Sequence, residues 1–357
     1  MAVSPGLFGL NKSNRDFTNN KSWGKNQFNS SFPASLACFM YSQGLEPVYL
    51  KLDSELKVEH KKIAVETLFG LEPGNENLYF AFERDFVPYQ QFVEGTLPRV
   101  DLVTMDNSTT SCLRGLEVKL TALPDQTTFM LRDETYGCEL VIRPDTIVYL
   151  AVSIATAYSD KQQDLYDLLH PVCGHIENWT NASEILPQLQ GMVTALDEVL
   201  LSNLDKQSPL IMQPVWKTIG KSPTFADNCL DMFIWSDFAF TRLFVDITKE
   251  CAEAENVSRI MRTSIWLTKI LYDYSRNGQI NHETVIDELS YNTKNDKAFS
   301  LPGVKTHKYM TCNELTNPRV TKNDISRIIL GGGEKFLSPE RRFDAVIVNT
   351  PGLFESI

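Results

Sequence analysis

Residues 99–120 read RVDLVTMDNSTTSCLRGLEVKL, two β-prone runs joined by the polar link DNSTTS. A link that short folds the chain back on itself, so the runs are expected to pair as an antiparallel hairpin. Charges stand inside both runs, Asp101 within VDLV and Glu117 and Lys119 within LEVKL, each flanked by apolar residues. Strands with apolar residues on both faces belong at the centre of a sheet, where an unpaired charge is costly. Side chains two apart on a strand share a face, so Glu117 and Lys119 project together while Leu116, Val118 and Leu120 point the other way. The hairpin then brings Asp101 beside Glu117. Whatever the fold, it has to build a sheet around a charged spot.

The rest of the chain supplies such a sheet and its helices. FPASLACFMYSQ (32–43) fits a short buried helix. SELKVEHKKIAVETLF (54–69) places Leu56, Ile63, Ala64 and Leu68 roughly on one face, with Gly70 where a C-cap is expected, and reads as an amphipathic helix. Further β-prone runs are NLYFAFE (77–83), GCELVIR (137–143) and TIVYLAVSI (146–154). From about residue 160 the pattern turns helical, through QDLYDLL, EILPQLQGMVTALDEVLLSNL, FADNCLDMFIWSDFAFTRLFVDITKECAEA and VSRIMRTSIWLTKILYDYSRNG, and RRFDAVIVNTPGLF suggests one late strand. The expected class is α/β (α+β), with an arm and core over residues 1–155 and a mainly helical region with that late strand over 156–357, packed on the core.

Two carboxylates at short range repel unless a cation sits between them, and ligation by oxygen alone suits a magnesium ion, Mg²⁺. Such an ion acidifies water, and a neighbouring ammonium can hold the resulting hydroxide and offset charge developing on a phosphate. That is equipment for hydrolysing a phosphodiester. The bland reading is an ordinary cross-strand cluster of salt bridges on a solvated face, and a D-x15-E-x-K spacing alone is common.

Bulk properties narrow the class. With 357 residues, 43% of them hydrophobic, the chain can bury a large core. No long uncharged apolar run reads as a membrane span, and the first residues lack the pattern of a signal peptide, so the cytoplasm is the expected compartment. Seven scattered cysteines without a CxxC argue against both a disulfide framework and a zinc knuckle, leaving free, mostly buried thiols. A net charge of −11 excludes coating of nucleic acid by bulk attraction, though not local binding. Residues 11–30, NKSNRDFTNNKSWGKNQFNS, set Lys12, Arg15, Lys21 and Lys25 against Asp16 alone, interleaved with aromatic rings and with amides that include Asn14, Asn26 and Gln27. The stretch is either a polar arm or an arm that contacts nucleic acid, since amides can pair with adenine edges while Lys and Arg reach guanine or phosphate.

Asp101…Glu117-Val118-Lys119 on a hairpin resembles the PD-(D/E)xK nuclease core, with Pro98 displaced from its usual place next to the aspartate. LFGLNKSNRDF, SWGKNQFNSSFPASLACFMY and PLIMQPVWKT (209–218) resemble the HindVP-type restriction endonucleases, across most of the chain. The resemblance implies a mixed central sheet flanked by helices and a bacterial, Mg²⁺-dependent type II enzyme that cuts double-stranded DNA at a short degenerate palindrome, GRCGYC, which a homodimer matches most simply. By the same resemblance Asp101 and Glu117 become metal ligands, the Val118 carbonyl a third, and Lys119 the residue that orients or activates water. Glu66 stands where many such nucleases carry an auxiliary acid, although an exposed helical glutamate reads equally as a solvated side chain. In the arm, Asn14, Arg15, Lys21, Lys25, Asn26 and Gln27 become the candidate DNA contacts. GGGEK (331–335) lacks the phosphate-loop frame, CGH (173–175) offers too few ligands for zinc, and Trp216, Trp235 and Trp266 stand in apolar context as core. A structure-selective or repair nuclease with the same core, and a non-catalytic interaction protein, are the rival classes.

Overall fold

A computed structural model describes residues 33–34, 37–38, 40–41, 44–118, 144–179, 181–214, 217–219, 222–224, 232–251 and 259–283. Its strands are β1 (Val48–Leu52), β2 (Val58–Lys62), β3 (Leu78–Asp85), β4 (Arg99–Asp106), β5 (Ser111–Val118), β6 (Pro209–Pro214), β7 (Lys217–Ile219), β8 (Ser222–Thr224) and β9 (Met232–Ser236). Its main helices are α1 (Val65–Phe69), α2 (Pro144–Thr156), α3 (Gln162–Cys173), α4 (Leu189–Leu201), α5 (Asp237–Cys251) and α6 (Arg259–Asn277). One seven-stranded sheet runs in the order β2-β1-β9-β6-β5-β4-β3, and β7 and β8 form a separate ribbon. The β5–β6 and β1–β9 pairs are parallel and the rest antiparallel, so the sheet is mixed and the class is α/β, as expected.

The β4–β5 hairpin forms as its spacing predicts. Asp106 closes the turn, its Oδ1 accepting from the Ser108 N–H at 2.9 Å and the Ser108 hydroxyl at 2.6 Å. The register shifts between Thr104 and Met105, a bulge near the turn that leaves the far end of the hairpin in regular pairing. Both strands lie inside the sheet, β4 between β3 and β5, and β5 between β4 and β6.

Three expectations are corrected. Residues 54–69 do not form one helix. Asp53 Oδ1 accepts from the N–H groups of Glu55 and Lys57, each at 2.8 Å, and Leu56 takes a left-handed φ of 58°, so the chain reverses and Val58–Lys62 pairs with β1 as an edge strand. Only Val65–Phe69 is helical, and Gly70, at φ 83°, ends it as expected. The exposed His60, Lys61 and Lys62 suit a sheet edge, which charged side chains protect from further pairing.

TIVYLAVSI is not a strand but the middle of α2. Ile147, Val148, Tyr149, Leu150, Ala151, Val152 and Ile154 are all buried, so the helix is apolar on every side and has no polar face to set a 3.6-residue period. Within the predicted helix 225–254, Met232–Ser236 is instead β9, with every residue buried. It lies between β1 and β6, so the later part of the chain contributes two strands to the sheet. Residues 137–143 and the late strand near the C-terminus lie outside the described residues.

Helix α5 packs on β1, β6 and β9, and α6 packs against α2, α3, α4 and α5. The N-terminus of α5 carries a buried carboxylate. Asp237 accepts from the N–H of Phe238 at 2.8 Å, from the N–H of Ser208 at 3.2 Å and from the hydroxyls of Ser208 and Ser153. Burial pushes this acid up to about 6, against the opposing pull of those hydrogen bonds. Cys38 and Cys173 are buried free thiols and Cys112 is a half-buried one, in line with the expected cysteine chemistry. The described positions between 33 and 41 are helical, and Ala34, Ala37, Cys38 and Met40 among them are buried, as the short helix over 32–43 requires.

Candidate active site

Leu102 pairs with Leu116 and Val103 with Gly115 in the β4–β5 ladder. One further step in the same register sets Asp101 opposite Glu117, on one face of adjacent strands about 4.8 Å apart. Both side chains are half-buried, whereas Leu116 and Val118, on the other face, are buried. At this point a side chain replaces the backbone rung. Asp101 Oδ2 accepts the Val118 N–H at 2.8 Å, which fixes the carboxylate against the central strand. On the other side of β5, Glu117 and Val118 are in register with Ile211 and Met212 of β6, so the strand is held from both flanks.

The donors at this spot are hard oxygens. In an extended strand the N–H and C=O of one residue point the same way, so the Val118 carbonyl lies on the edge that its N–H shares with Asp101. Two carboxylates and a carbonyl fit a hard divalent cation such as Mg²⁺ and do not fit a thiolate-seeking metal.

The remaining candidates divide. Glu66 is exposed on α1, where its charge reaches Tyr41 together with that of Glu72. Among the described residues no three of His, Cys, Asp and Glu gather closely enough to hold a metal, so Glu66 does not join Asp101 and Glu117 in such a set. Lys119 lies outside the described residues, as do Asn14, Arg15, Lys21, Lys25, Asn26 and Gln27, the GGGEK stretch and Trp216. Trp235 and Trp266 are core residues. In CGH, Cys173 is buried and His175 exposed. No helix among the described residues is long and apolar enough to cross a membrane.

Sequence reasoning passed over several neighbours of the pair. Glu83 interrupts the β3–β4 ladder between Phe82↔Leu102 and Arg84↔Val100, so the register sets it opposite Asp101, and it takes a left-handed φ of 51° that only glycine adopts without strain. Nothing in LYFAFERD marks that kink. The Phe86 ring lies against Gly115, where an added Cβ would come within 3.0 Å of the ring. Next to Phe86, the hydroxyl of Tyr149 accepts the Phe86 N–H at 3.3 Å and donates to the Pro98 carbonyl. Burial, and after it the nearby charges of Asp85 and Glu117, push the Tyr149 phenol up.

A mixed sheet flanked by helices is consistent with a restriction-endonuclease core. The chain matches the HindVP restriction endonuclease family over residues 23–354. It is 45% identical over 357 residues to the type II restriction enzyme HgiDI of Herpetosiphon aurantiacus, covering 99% of this chain and 98% of that one. It is 43% identical over 355 residues to the probable type II restriction enzyme HindVP of Haemophilus influenzae, covering 99% and 96%. The chain belongs to the HindVP restriction endonuclease family. No solved structure matches it significantly.

Proposed function

We propose that the protein is a type II restriction endonuclease that hydrolyses double-stranded DNA at GRCGYC, with Mg²⁺ held by Asp101, Glu117 and the Val118 carbonyl. The observation that carries this reading is the β4–β5 register with the Asp101–Val118 bond, which holds one acid rigidly beside another in mid-sheet. Family membership and the resemblance of the motif support the substrate and the sequence cut. A Mg²⁺ ion bound there supplies the field that acidifies water and offsets charge on the phosphate.

The chain's own groups do the rest. Asp101, tied to the central strand, presents its second oxygen in a fixed direction. Glu117 stands across from it, so the two carboxylates would hold a cation in one fixed orientation relative to the strands. Lys119, two residues beyond Glu117 in the sequence, carries the ammonium that would orient the attacking water. The arm reads the site through Arg15, Lys25, Asn26 and Gln27, with Asn14 and Lys21 alongside. A palindrome is matched by two-fold symmetry, so the enzyme acts as a homodimer in which each subunit cuts one strand. Its setting is the bacterial cytoplasm.

Digestion of a sequenced plasmid with and without Mg²⁺, followed by mapping of the ends, tests the reading. Metal-dependent cuts confined to GRCGYC are expected. Nicking at scattered positions, or cleavage directed by branched structure, would reassign the protein to another nuclease class, and no cleavage in any divalent metal would remove the catalytic reading.

A further inference from the structure

The β3–β4 ladder ends at Asp85 opposite Arg99. One more step in that register would pair Phe86 with Pro98. Proline has no N–H, so this rung could hold at most one backbone bond, from the Phe86 N–H to the Pro98 carbonyl. The Tyr149 hydroxyl occupies the gap instead, accepting from the first group and donating to the second. A helix side chain has been inserted as the last rung between two strands.

The segments it joins lead to both acids. Pro98 immediately precedes β4 and stands three residues before Asp101. Phe86 packs its ring against Gly115, which precedes Glu117 by two residues and shares its face. Ring packing holds the phenol from behind, since Phe86 and Tyr89 meet edge to face at 4.8 Å and Tyr89 lies 6.0 Å from Tyr149. A phenyl ring would serve that packing equally well. The hydroxyl is needed because the buried Phe86 N–H and the half-buried Pro98 carbonyl, left without each other at the end of the ladder, each require a partner.

We propose that Tyr149 is a positioning residue of the active site, its hydroxyl setting the separation of the β3 and β4 ends and through them the placement of Asp101 against Glu117. The inference rests on the nuclease reading of that pair. A phenol is protonated at neutral pH and burial raises this one further, so the rung persists there.

The test replaces Tyr149→Phe in the full chain and follows three quantities at a temperature where circular dichroism shows both proteins folded. Calcium affinity by calorimetry should weaken about ten-fold, and the single-turnover rate in saturating Mg²⁺ should fall roughly 10- to 100-fold, the range for groups that orient metal ligands. Affinity for duplex DNA without metal should stay within about two-fold, because phosphate contacts are untouched. Tyr89→Phe is the control. Burial raises the Tyr89 phenol, and its hydroxyl bonds to Ser153 instead of to a strand end, so this variant should leave calcium affinity unchanged. Wild-type calcium affinity and rate in Tyr149→Phe, or an equal loss in Tyr89→Phe, would overturn the proposal. A wild-type protein that neither binds calcium nor cuts DNA would instead overturn the nuclease reading itself.

Discussion

The carboxylate of Asp101 has two roles that a single substitution can separate. One oxygen accepts the Val118 N–H, and the charge belongs to the proposed metal site. Asp101→Asn keeps an acceptor for that N–H and removes the charge. Its melting temperature should therefore stay near wild type while cleavage falls by at least about 100-fold, the upper end of the loss seen when a supporting group alone is removed. Gel-based cleavage rates beside thermal melts check both halves. Equal cleavage by this variant in saturating Mg²⁺ would remove Asp101 from the chemistry. Asp237 gives a different residue-scale expectation. Its folded-state value of about 6 lies above the ordinary 3.8, so between those pH values the folded protein retains a proton that the unfolded chain has released. Stability should thus decline as pH rises through that window, by on the order of 2–3 kcal/mol, and level off above it. Asp237→Asn should flatten that slope in urea titrations between pH 3.5 and 7, and an unchanged slope would place the titration on another group.

At the scale of the element, α1 shows how five residues become a defined helix. It begins with no side-chain cap and ends where the Gly70 N–H donates to the Glu66 carbonyl, with Gly70 in the left-handed region. A methyl group there would lie 2.9 Å from Leu113 Cβ on β5. Gly70→Ala therefore meets both backbone strain and a clash with the strand that carries Glu117, and should cost roughly 1–3 kcal/mol. The midpoint of urea unfolding measures this, and a loss under about 0.5 kcal/mol would mean that β5 yields to the methyl. Elsewhere ion pairs join two helices. Arg242 reaches Asp197 on α4 at 2.5 Å and Asp246 at 2.6 Å, and Lys249 reaches Asp197 at 2.5 Å, which ties α4 to α5.

For the whole molecule, the charge of −11 means that the average field repels DNA, so binding has to come from local clusters. The basic stretch at 11–30 is the cluster legible in the sequence. If it reads bases, alanine at Arg15, Lys25, Asn26 or Gln27 should weaken binding to the cognate duplex by roughly 1–3 kcal/mol more than to duplexes changed at a single position. Binding at fixed salt in Ca²⁺ makes the comparison, and equal losses on every duplex would assign the arm to phosphate contact alone. Light scattering with a site-containing duplex should give two protein chains per DNA. A one-to-one complex that cuts both strands in one encounter would contradict the homodimer.

Some of this was decided by the chain itself. A two-residue period and a six-residue polar link are local, so the hairpin and the facing of Asp101 and Glu117 followed from residues 99–118 alone. Gly70 as a helix terminus followed in the same way, because a left-handed cap is a property of one residue. Tertiary structure decided the rest, for a physical reason visible in three segments. VEHKK became an edge strand because β1 offered it a partner, TIVYLAVSI became a helix because it is surrounded on all sides, and MFIWS became a central strand because β1 and β6 lie on either side of it. An apolar or amphipathic run satisfies its own backbone as a helix or a neighbour's as a strand at similar cost, and distant residues supply the difference. The Tyr149 rung is the extreme case. Its two bonds join Phe86, Pro98 and a helix some 50 residues further on, a meeting that no local pattern encodes.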